Sequence, residues 1–196
     1  MRVIKSVVTK DTILTSSNIP EDEYPAWVSG TSYTALDKVI YEHKIYERIV
    51  TGSGTTPPDL DQINWLDSGY TNRYRMFDNI ISSVSGRTGG IEFTLTPNQV
   101  INGIALLNVN ASTVRVVMND PIEGVVYDRT KELRSSSNVI DYYSYFFAPL
   151  INLGDLDTAI FLDLPNKPTA TITVYVSSGV GLVEVGEVVY GIQSIV

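Results

Sequence analysis

The residues that could carry chemistry are few, and the first to consider is His43, the one histidine among 196 residues. Serine-nucleophile catalysis needs a histidine base that a carboxylate holds beside the reacting hydroxyl. The run Glu42-His43-Lys44, however, has the composition of a hairpin turn, where an imidazole is solvated and poorly oriented. We therefore interpret His43 as a surface turn residue. The absence of cysteine excludes thiolate catalysis and thiolate metal sites.

Two groups of carboxylates could act as paired acids or bind a metal ion: Glu21-Asp22-Glu23, and Asp59 with Asp61. Glycoside hydrolysis needs two carboxyl groups across a cleft, one of them with a pKa raised by burial. Both groups lie in segments rich in turn residues, which predicts solvated loops. Asp59 and Asp61 offer the oxygen ligands that calcium prefers, but the full pattern of a calcium loop is missing. We predict no catalytic residue and no metal ion.

Two glycine pairs, Gly52-Ser53-Gly54 and Gly179-Val180-Gly181, need to be distinguished from phosphate-binding loops. Neither continues with Gly-Lys-Ser/Thr or leads into a helical pattern, so neither predicts a nucleotide site. Turns that require positive φ explain them better. We therefore predict no cofactor and interpret the protein as a non-enzyme.

Basic and aromatic residues remain as candidates for contact with a partner. In the segment Tyr70 to Phe77, the guanidinium groups of Arg73 and Arg75 could bind a carboxylate through two hydrogen bonds each across an interface. An internal salt bridge that fixes this segment to the next domain is the alternative, and the sequence leaves both open. The candidate residues for contact with a glycan or a protein partner are Tyr41, Arg73, Tyr74 and Arg75.

The charge of the chain narrows the classes of partner. Lysine and arginine total 14 against 22 acidic residues, a formal net charge of −8. Nucleic-acid binding needs a basic face that displaces counterions, so we predict no nucleic-acid partner. No apolar run approaches the roughly 18 residues of a membrane helix, and we expect neither membrane insertion nor a signal peptide.

The chain divides by its patterns into three parts. Residues 1–24 predict an N-terminal strand and an acidic connector, which we expect to pack against the C-terminal domain. Residues 25–69 predict a small β unit, because short aromatic bursts alternate with turn signals. Within it we expect Trp27, Tyr33, Tyr46 and Trp65 to point inward and Tyr41 to be the exposed ring. Residues 70–196 predict a β-sandwich or jelly roll.

The third part is a series of strands with Gly, Pro, Asn and Asp between them, which is typical of sandwiches. The fold class that we predict is therefore all-β: a small three-stranded aromatic module followed by a β-sandwich with jelly-roll character. The run from Gly103 to Met118 also resembles the strand pair of galactose-binding-like jelly rolls. We predict strands within these segments: 91–95, 103–109, 113–119, 125–133, 142–147 ending at Pro149, 158–164, 169–177 and 182–196.

The small unit carries an ordered series of aromatic and turn residues: Trp27, Gly30, Tyr33, Asp37, Val39, Tyr41, Tyr46, Gly54, Pro57 and Trp65. This order resembles the chitin-binding modules of carbohydrate-binding families 5 and 12, which implies a three-stranded antiparallel sheet. One departure concerns function. Where many such modules place exposed paired aromatics, this chain has Arg48, Ile49 and Val50, so the resemblance keeps the scaffold without the usual sugar platform.

Several motifs extend a second resemblance over nearly the full chain: Pro25-Ala26-Trp27, Ser29-Gly30-Thr31, Trp65-Leu66-Asp67, Thr71-Asn72-Arg73, Met76-Phe77-Asp78, Val125 to Arg129 and Tyr145-Phe146-Phe147. The chain resembles a family of tailed-bacteriophage structural proteins. The resemblance implies a virion location in the tail, baseplate or fibre-attachment region. It implies assembly with other virion tail proteins, as a homo-oligomer or in multiple copies.

A host-surface glycan-binding protein of the phage tail is the alternative function. A flat strip of exposed aromatics in the module would favour glycan binding. Burial of those aromatics, with large apolar patches elsewhere, would favour assembly.

Overall fold

In the computed structural model, residues 2–134, 142–147, 156–179 and 181–195 are described. Apart from one short helix, α1 (Tyr142–Phe147), and a 3₁₀ turn at Arg75–Phe77, the regular structure of these residues is β. The strands are β1 Arg2–Ser6, β2 Leu14–Ser17, β3 Ser32–Tyr33, β4 Lys38–Tyr41, β5 Lys44–Arg48, β6 Gly52–Ser53, β7 Trp65–Tyr70, β8 Ser85–Thr88, β9 Ile91–Leu95, β10 Gly103–Asn110, β11 Thr113–Asp120, β12 Gly124–Glu132, β13 Ala159–Phe161, β14 Thr171–Ser177 and β15 Leu182–Ile195.

Two five-stranded antiparallel sheets form a β-sandwich, which confirms the predicted fold class. One sheet has the order β1-β15-β10-β13, with β8 paired to the first part of β15. The other has the order β12-β11-β14-β9-β2. The interior position of β10 agrees with its sequence, which is apolar on both faces.

The alternation of side chains builds the core between the sheets. In β14, Ile172, Val174 and Val176 are buried, and their neighbours along the strand are more exposed. β11 repeats the pattern with Val114, Val116 and Met118. Because successive side chains of a strand point to opposite faces, a period of two in hydrophobicity places one face of each strand in the core.

The N-terminal segment belongs to both sheets. β1 pairs with the end of β15, and β2 pairs with β9. The expectation that this segment packs against the C-terminal domain is therefore confirmed. The aromatic module lies between β2 and β8 in the chain, so the strands on either side of it are strands of the sandwich. The predicted domain boundaries at 24 and 69 stay a prediction.

The module itself is a three-stranded antiparallel sheet in the order β4-β5-β7, beside a two-stranded pair of β3 and β6. Glu42 and His43 form the tight turn between β4 and β5, with φ of 46° and 64°. Positive φ at both central residues matches the right-handed twist of a two-residue hairpin. The module has a small core of its own, formed by Val39, Tyr46 and Trp65.

Two strand predictions were wrong. The aromatic run 142–147, predicted as a strand, is the helix α1. Serine is its one polar residue apart from the tyrosines, so the run has no alternation of polar and apolar positions that would specify a strand face. Conversely, the Ser- and Gly-rich run from Ser82 to Gly90 predicts a turn or loop, yet Ser85–Thr88 within it is a strand that pairs with β15. Pairing with a long partner strand outweighs the weak β propensity of these residues. Pro149, Val180 and Val196, which took part in other predictions, lie outside the described residues. Within the described part of the chain, no helix is long and apolar enough to cross a membrane.

Candidate functional site

The candidate site is a cleft in the aromatic module, with a volume of about 460 Å³. It lies between β5, β7 and the loop that joins β6 to β7. We refer to it as the module cleft. Its lining residues are Lys44, Tyr46, Pro58, Asp59, Gln62, Trp65, Leu66 and Asp67.

The loop on one side of the module cleft is held by its own hydrogen bonds. Both carboxylate oxygens of Asp61 accept from the Asn64 side-chain amide at 2.9 Å. The Trp65 backbone N–H donates to the Asp61 carbonyl at 3.0 Å. Asp61 therefore has a structural role, which fixes the residues between Pro58 and Gln62 against the sheet. The calcium interpretation has no support, since no group of three or more His, Asp or Glu in the described residues could hold a metal ion.

One ion pair occupies the side of the cleft formed by the two strands. Lys44 Nζ donates to Asp67 Oδ2 at 2.7 Å, and the other carboxylate oxygen accepts from the Gly69 N–H at 2.9 Å. Burial raises the pKa of Asp67, but these two hydrogen bonds outweigh it and hold the pKa below 3.8. Lys44 also lies 5.1 Å from the centre of the Tyr70 ring. Both charges are thus paired within the protein.

Three other polar groups of the cleft have no partner among the described residues. Asp59 Oδ1 is buried and accepts no hydrogen bond. The Tyr46 hydroxyl and the Gln62 side-chain amide also make no hydrogen bond within the described structure. Burial raises the pKa of Tyr46, and the negative charges of Asp67 and Asp59 contribute to the increase. The module cleft therefore concentrates unused hydrogen-bonding capacity.

The tryptophan in the cleft is not available as a stacking surface. Trp65 is 3% exposed. The Arg48 guanidinium lies 4.9 Å from the centre of its ring, and the edge of Tyr33 packs at 5.2 Å. Arg48 thus covers an aromatic face at the position where the resembled modules carry sugar-binding aromatics.

The predicted directions of the module's aromatic rings are confirmed in part. Tyr46 and Trp65 are buried, as expected. Trp27 and Tyr33 are half-buried, and Tyr41 is half-buried with them, so the prediction that Tyr41 is the exposed ring was wrong. Tyr41 packs edge-on against Trp27 at 5.4 Å because a small sheet without disulfides uses every ring to build its core.

The other predicted contact residues make internal contacts. Arg73 Nε donates to the Ile19 carbonyl at 2.7 Å. Arg75 Nε donates to the Tyr70 carbonyl at 3.2 Å, and Tyr74 is 7% exposed. This arrangement favours the second of the two interpretations of the arginines, in which they fix the segment within the protein. Their contact with a partner stays a prediction.

His43 is the centre of a junction between the module and the sandwich. Its Nε2 lies 2.8 Å from Asp11 Oδ1, and its Nδ1 lies 2.9 Å from Glu21 Oε1. The imidazole stacks on the Tyr74 ring with 3.9 Å between centres. Glu21 also accepts a hydrogen bond from the Thr71 hydroxyl at 2.6 Å. We call this group the His43 junction.

The electrostatics of the His43 junction favour a charged imidazolium. Burial alone would lower the pKa of His43, but the hydrogen bonds and negative charges of Asp11 and Glu21 raise it above 6.5. The hydrogen bond from His43 is the main cause that lowers the pKa of Asp11 below 3.8. Burial, assisted by the charge of Asp11, raises the pKa of the Tyr74 hydroxyl to about 12. The interpretation of His43 as a solvated turn residue was therefore wrong, although its place in a turn is confirmed.

Sequence reasoning missed most of the module cleft. Asp59 was considered only as a calcium ligand, and Lys44, Gln62 and Asp67 were not considered. Asp67 lies opposite Tyr46 in the β5–β7 pair, and a register shift between Lys44 and Tyr46 brings Lys44 close to it. Only the pairing of β5 with β7, which are not consecutive in the chain, reveals that contact. Gln62 carries no signal in the sequence, since a glutamine in a turn-rich loop is ordinary.

No family model matches the chain, and no curated protein is similar to it in sequence. Among solved structures, it is similar to an F5/8 type C domain from Bacteroides fragilis, with 10% identity over 60% of this chain and 79% of that one, and a TM-score of 0.38. It is similar to chitosan-binding module 1 of a chitosanase/glucanase from Paenibacillus sp. IK-5, with 10% identity over 63% and 85% of the chains and a TM-score of 0.38.

A third similar structure is CpGH89CBM32-5 from Clostridium perfringens in complex with GalNAc-β-1,3-galactose, with 10% identity over 61% of this chain and 83% of that one, and a TM-score of 0.37. The last two proteins bind carbohydrate. The comparisons do not support the bacteriophage resemblance. At these TM-scores and identities, we transfer no function from the similar structures to this chain.

Proposed function

We propose that this protein is a non-catalytic binding protein and that the module cleft holds one unit of a saccharide. The observation that carries the proposal is the set of unpaired groups around the cleft, namely the Tyr46 hydroxyl, the Asp59 carboxylate and the Gln62 amide. Oδ1 of Asp59 is shielded from solvent, whereas Gln62 is exposed, so the Tyr46 hydroxyl, the Gln62 amide and the other oxygen of Asp59 are the atoms that a ligand can reach. Each hydrogen bond that a ligand makes to them in place of water contributes about 0.5–1.5 kcal/mol.

A saccharide matches both the chemistry and the size of the cleft. A carboxylate only accepts hydrogen bonds, whereas an amide and a phenol both donate and accept. Sugar hydroxyls can do both, so one ring can satisfy all three groups. The volume of about 460 Å³ lies within the ordinary range of small-molecule sites. Leu66, which is 56% exposed, adds apolar surface for the C–H face of a ring.

The arrangement supports binding without turnover. His43 does not line the module cleft, because it is hydrogen-bonded to Asp11 and Glu21 at the His43 junction. Asp67 is paired with Lys44. Hydrolysis requires a proton donor and a base or nucleophile on opposite sides of the bond. Asp59 is the one lining carboxylate of the module cleft with an oxygen that has no described partner.

The test is a titration of the wild-type protein with a panel of neutral mono- and oligosaccharides, followed by two-dimensional NMR and calorimetry. We expect shift changes centred on Gln62 and Trp65. Tyr46→Phe keeps the buried ring but removes one hydrogen bond, which should weaken binding about fivefold. Tyr175→Phe, a tyrosine of the sandwich, is the matched control and should bind as the wild type does. If no saccharide changes the spectrum, the proposal is wrong.

Assembly with other proteins is a second candidate function, and the exposed rings of α1 support it. Tyr142, Tyr143 and Phe147 of α1 are 81%, 72% and 71% exposed. Aromatic side chains are common anchors of protein–protein contacts. Burial of Tyr46 and Trp65, with exposed apolar surface elsewhere, is the pattern expected of an assembly protein. In this proposal the chain is a virion protein that contacts other tail proteins in several copies.

Purified phage particles from the source of the gene test this second candidate. Mass spectrometry should detect the chain in the particles, and cryo-electron microscopy should show its density between tail subunits. Detection of the chain only in the particle-free fraction would exclude a virion role. A tail location and saccharide binding are compatible, because the module cleft and α1 share no residues.

A further inference from the structure

We infer that the module cleft selects a saccharide with a protonated amine and that Asp59 is the residue responsible; this inference rests on the proposed saccharide function. An aspartate carboxylate is a pure acceptor and carries a negative charge at neutral pH. A partner that both donates and carries a positive charge satisfies it better than a neutral hydroxyl does.

The charges around the cleft leave Asp59 without compensation. Lys44 and Asp67 are 2.7 Å apart and neutralise each other. Asp61 does not line the cleft, and its carboxylate binds the Asn64 amide. The cleft therefore carries one unpaired negative charge, that of Asp59. Because Lys44 is already paired, a ligand is the natural source of the missing positive charge.

Burial strengthens the effect of this charge. Oδ1 of Asp59 is shielded from solvent and has no partner in the described structure, so the carboxylate is only partly hydrated, and a ligand meets its other oxygen. The charge of Asp59 also acts on the nearby Tyr41 and Tyr46 hydroxyls. Electrostatic interactions are stronger at partly desolvated positions than in water, so an ammonium group in the cleft gains more than it would at an open surface.

The same charge defines which saccharides are rejected. An N-acetylated sugar has no positive charge, so it keeps the hydroxyl contacts but loses the charge-assisted hydrogen bond. A uronic acid places a second carboxylate near Asp59 on a chain with a net charge of −8, and like charges repel. The expected order of affinity is amino sugar, then neutral or acetylated sugar, then acidic sugar.

The substitution that tests the inference is Asp59→Asn, which preserves shape and removes the charge. Asp22→Asn is the matched control, because it changes the net charge equally at an exposed position outside the cleft. Calorimetry with oligomers of glucosamine, of N-acetylglucosamine and of a uronic acid, all of equal length, measures the selectivity. We expect the wild type and Asp22→Asn to prefer the amino sugar about tenfold over the acetylated one, and Asp59→Asn to lose that preference.

The outcomes separate this inference from the function on which it rests. If Asp59→Asn retains the preference for the amino sugar, or if the wild type has none while still binding a neutral sugar, the inference is wrong and the saccharide function stands. If the wild type binds no saccharide, the proposed function is wrong as well. A lysine side chain of a protein has the same cationic group. Tight binding of Nα-acetyl-lysine methylamide that depends on Asp59, without binding of the amino sugar, would also overturn the inference.

Discussion

Replacing His43 by asparagine should remove a stabilising contact that exists in full only while the imidazole is protonated. His43 faces Asp11 through Nε2 and Glu21 through Nδ1, at 2.8 and 2.9 Å. Both nitrogens must carry protons to donate to both carboxylates, so only the imidazolium satisfies the His43 junction. Because the pKa of His43 is raised above 6.5 in the folded protein, this stabilisation is fully present below about pH 6.5 and is lost as the pH rises through the folded value.

The magnitude follows from the exposure of the partners. The side chain of Glu21 is 16% exposed and that of Asp11 is 71% exposed, so solvent screens the contact with Asp11 more than the contact with Glu21. A hydrogen bond to a charged group contributes about 1.5–3 kcal/mol when shielded, and an exposed ion pair contributes about 0–1 kcal/mol. Since the His43 side chain is itself 27% exposed, we expect a loss at the lower end, about 1–2 kcal/mol.

Asp11 limits the same stabilisation at acid pH. Its pKa is lowered below 3.8, mainly by the hydrogen bond with His43. A lowered pKa in the folded state means that the contribution is present above the unfolded value and is lost as the pH falls through the folded one. The His43 junction should therefore stabilise the protein most between about pH 4 and pH 6.5.

Urea unfolding at closely spaced pH values from 4 to 9 is the assay. Asparagine tolerates the left-handed backbone at position 43, where φ is 64°, so His43→Asn should not strain the turn. The difference in free energy of unfolding between wild type and variant should be about 1–2 kcal/mol at pH 5.5 and should shrink at alkaline pH. Taking this difference largely cancels the pH effects of the other acidic groups, which both proteins share. Parallel curves for the two proteins over the whole range would refute the reasoning.

Three further predictions concern stability. Gly191→Ala should clearly lower the melting temperature, because a Cβ there would overlap the Lys5 backbone carbonyl across the β1–β15 pair. The matched control Gly54→Ala, whose Cβ meets no atom, should leave the melting temperature nearly unchanged. Trp65→Ala should lower the free energy of unfolding by about 3–5 kcal/mol, since it empties the small core; an unchanged melting temperature would contradict the burial of this ring. Arg73→Met should cost about 1–3 kcal/mol in chemical denaturation, because it removes the hydrogen bonds to the Ile19 and Ser17 carbonyls and the ion pair with Glu21; no loss would mean that water replaces the guanidinium.

The strands of the sandwich were largely predictable from the sequence. The strand β9, Ile91–Leu95, coincides with its prediction, and β11 and β14 differ from theirs only at the ends. These strands alternate apolar and polar residues while one face is buried, so local pattern and tertiary environment agree. The failures were segments without such a pattern. The strand β8 forms only because β15 lies beside it, and the helix α1 has aromatic residues that fit either structure.

In the aromatic module, too, some features follow from the local sequence and others only from the tertiary structure. Its turns and the burial of Tyr46 and Trp65 follow from local composition, since a small sheet has few other large side chains for its core. The position of the Arg48 guanidinium over the Trp65 ring does not follow from composition. It depends on the register of β5 against β7, which places Arg48 opposite Trp65.

The sequence alone therefore determined the all-β class, most strands and the absence of cysteine, because these depend on residue type and short periodicity. Only the tertiary structure decided what the polar residues do. The fold places His43 within hydrogen-bonding distance of the carboxylates of Asp11 and Glu21, which are 32 and 22 positions away in the sequence. Lys44 was paired with Asp67, and Asp59 was left without a partner. Such pairings form between residues that are distant in the chain. The charge that a site presents to a ligand is therefore the charge that these internal ion pairs leave unpaired.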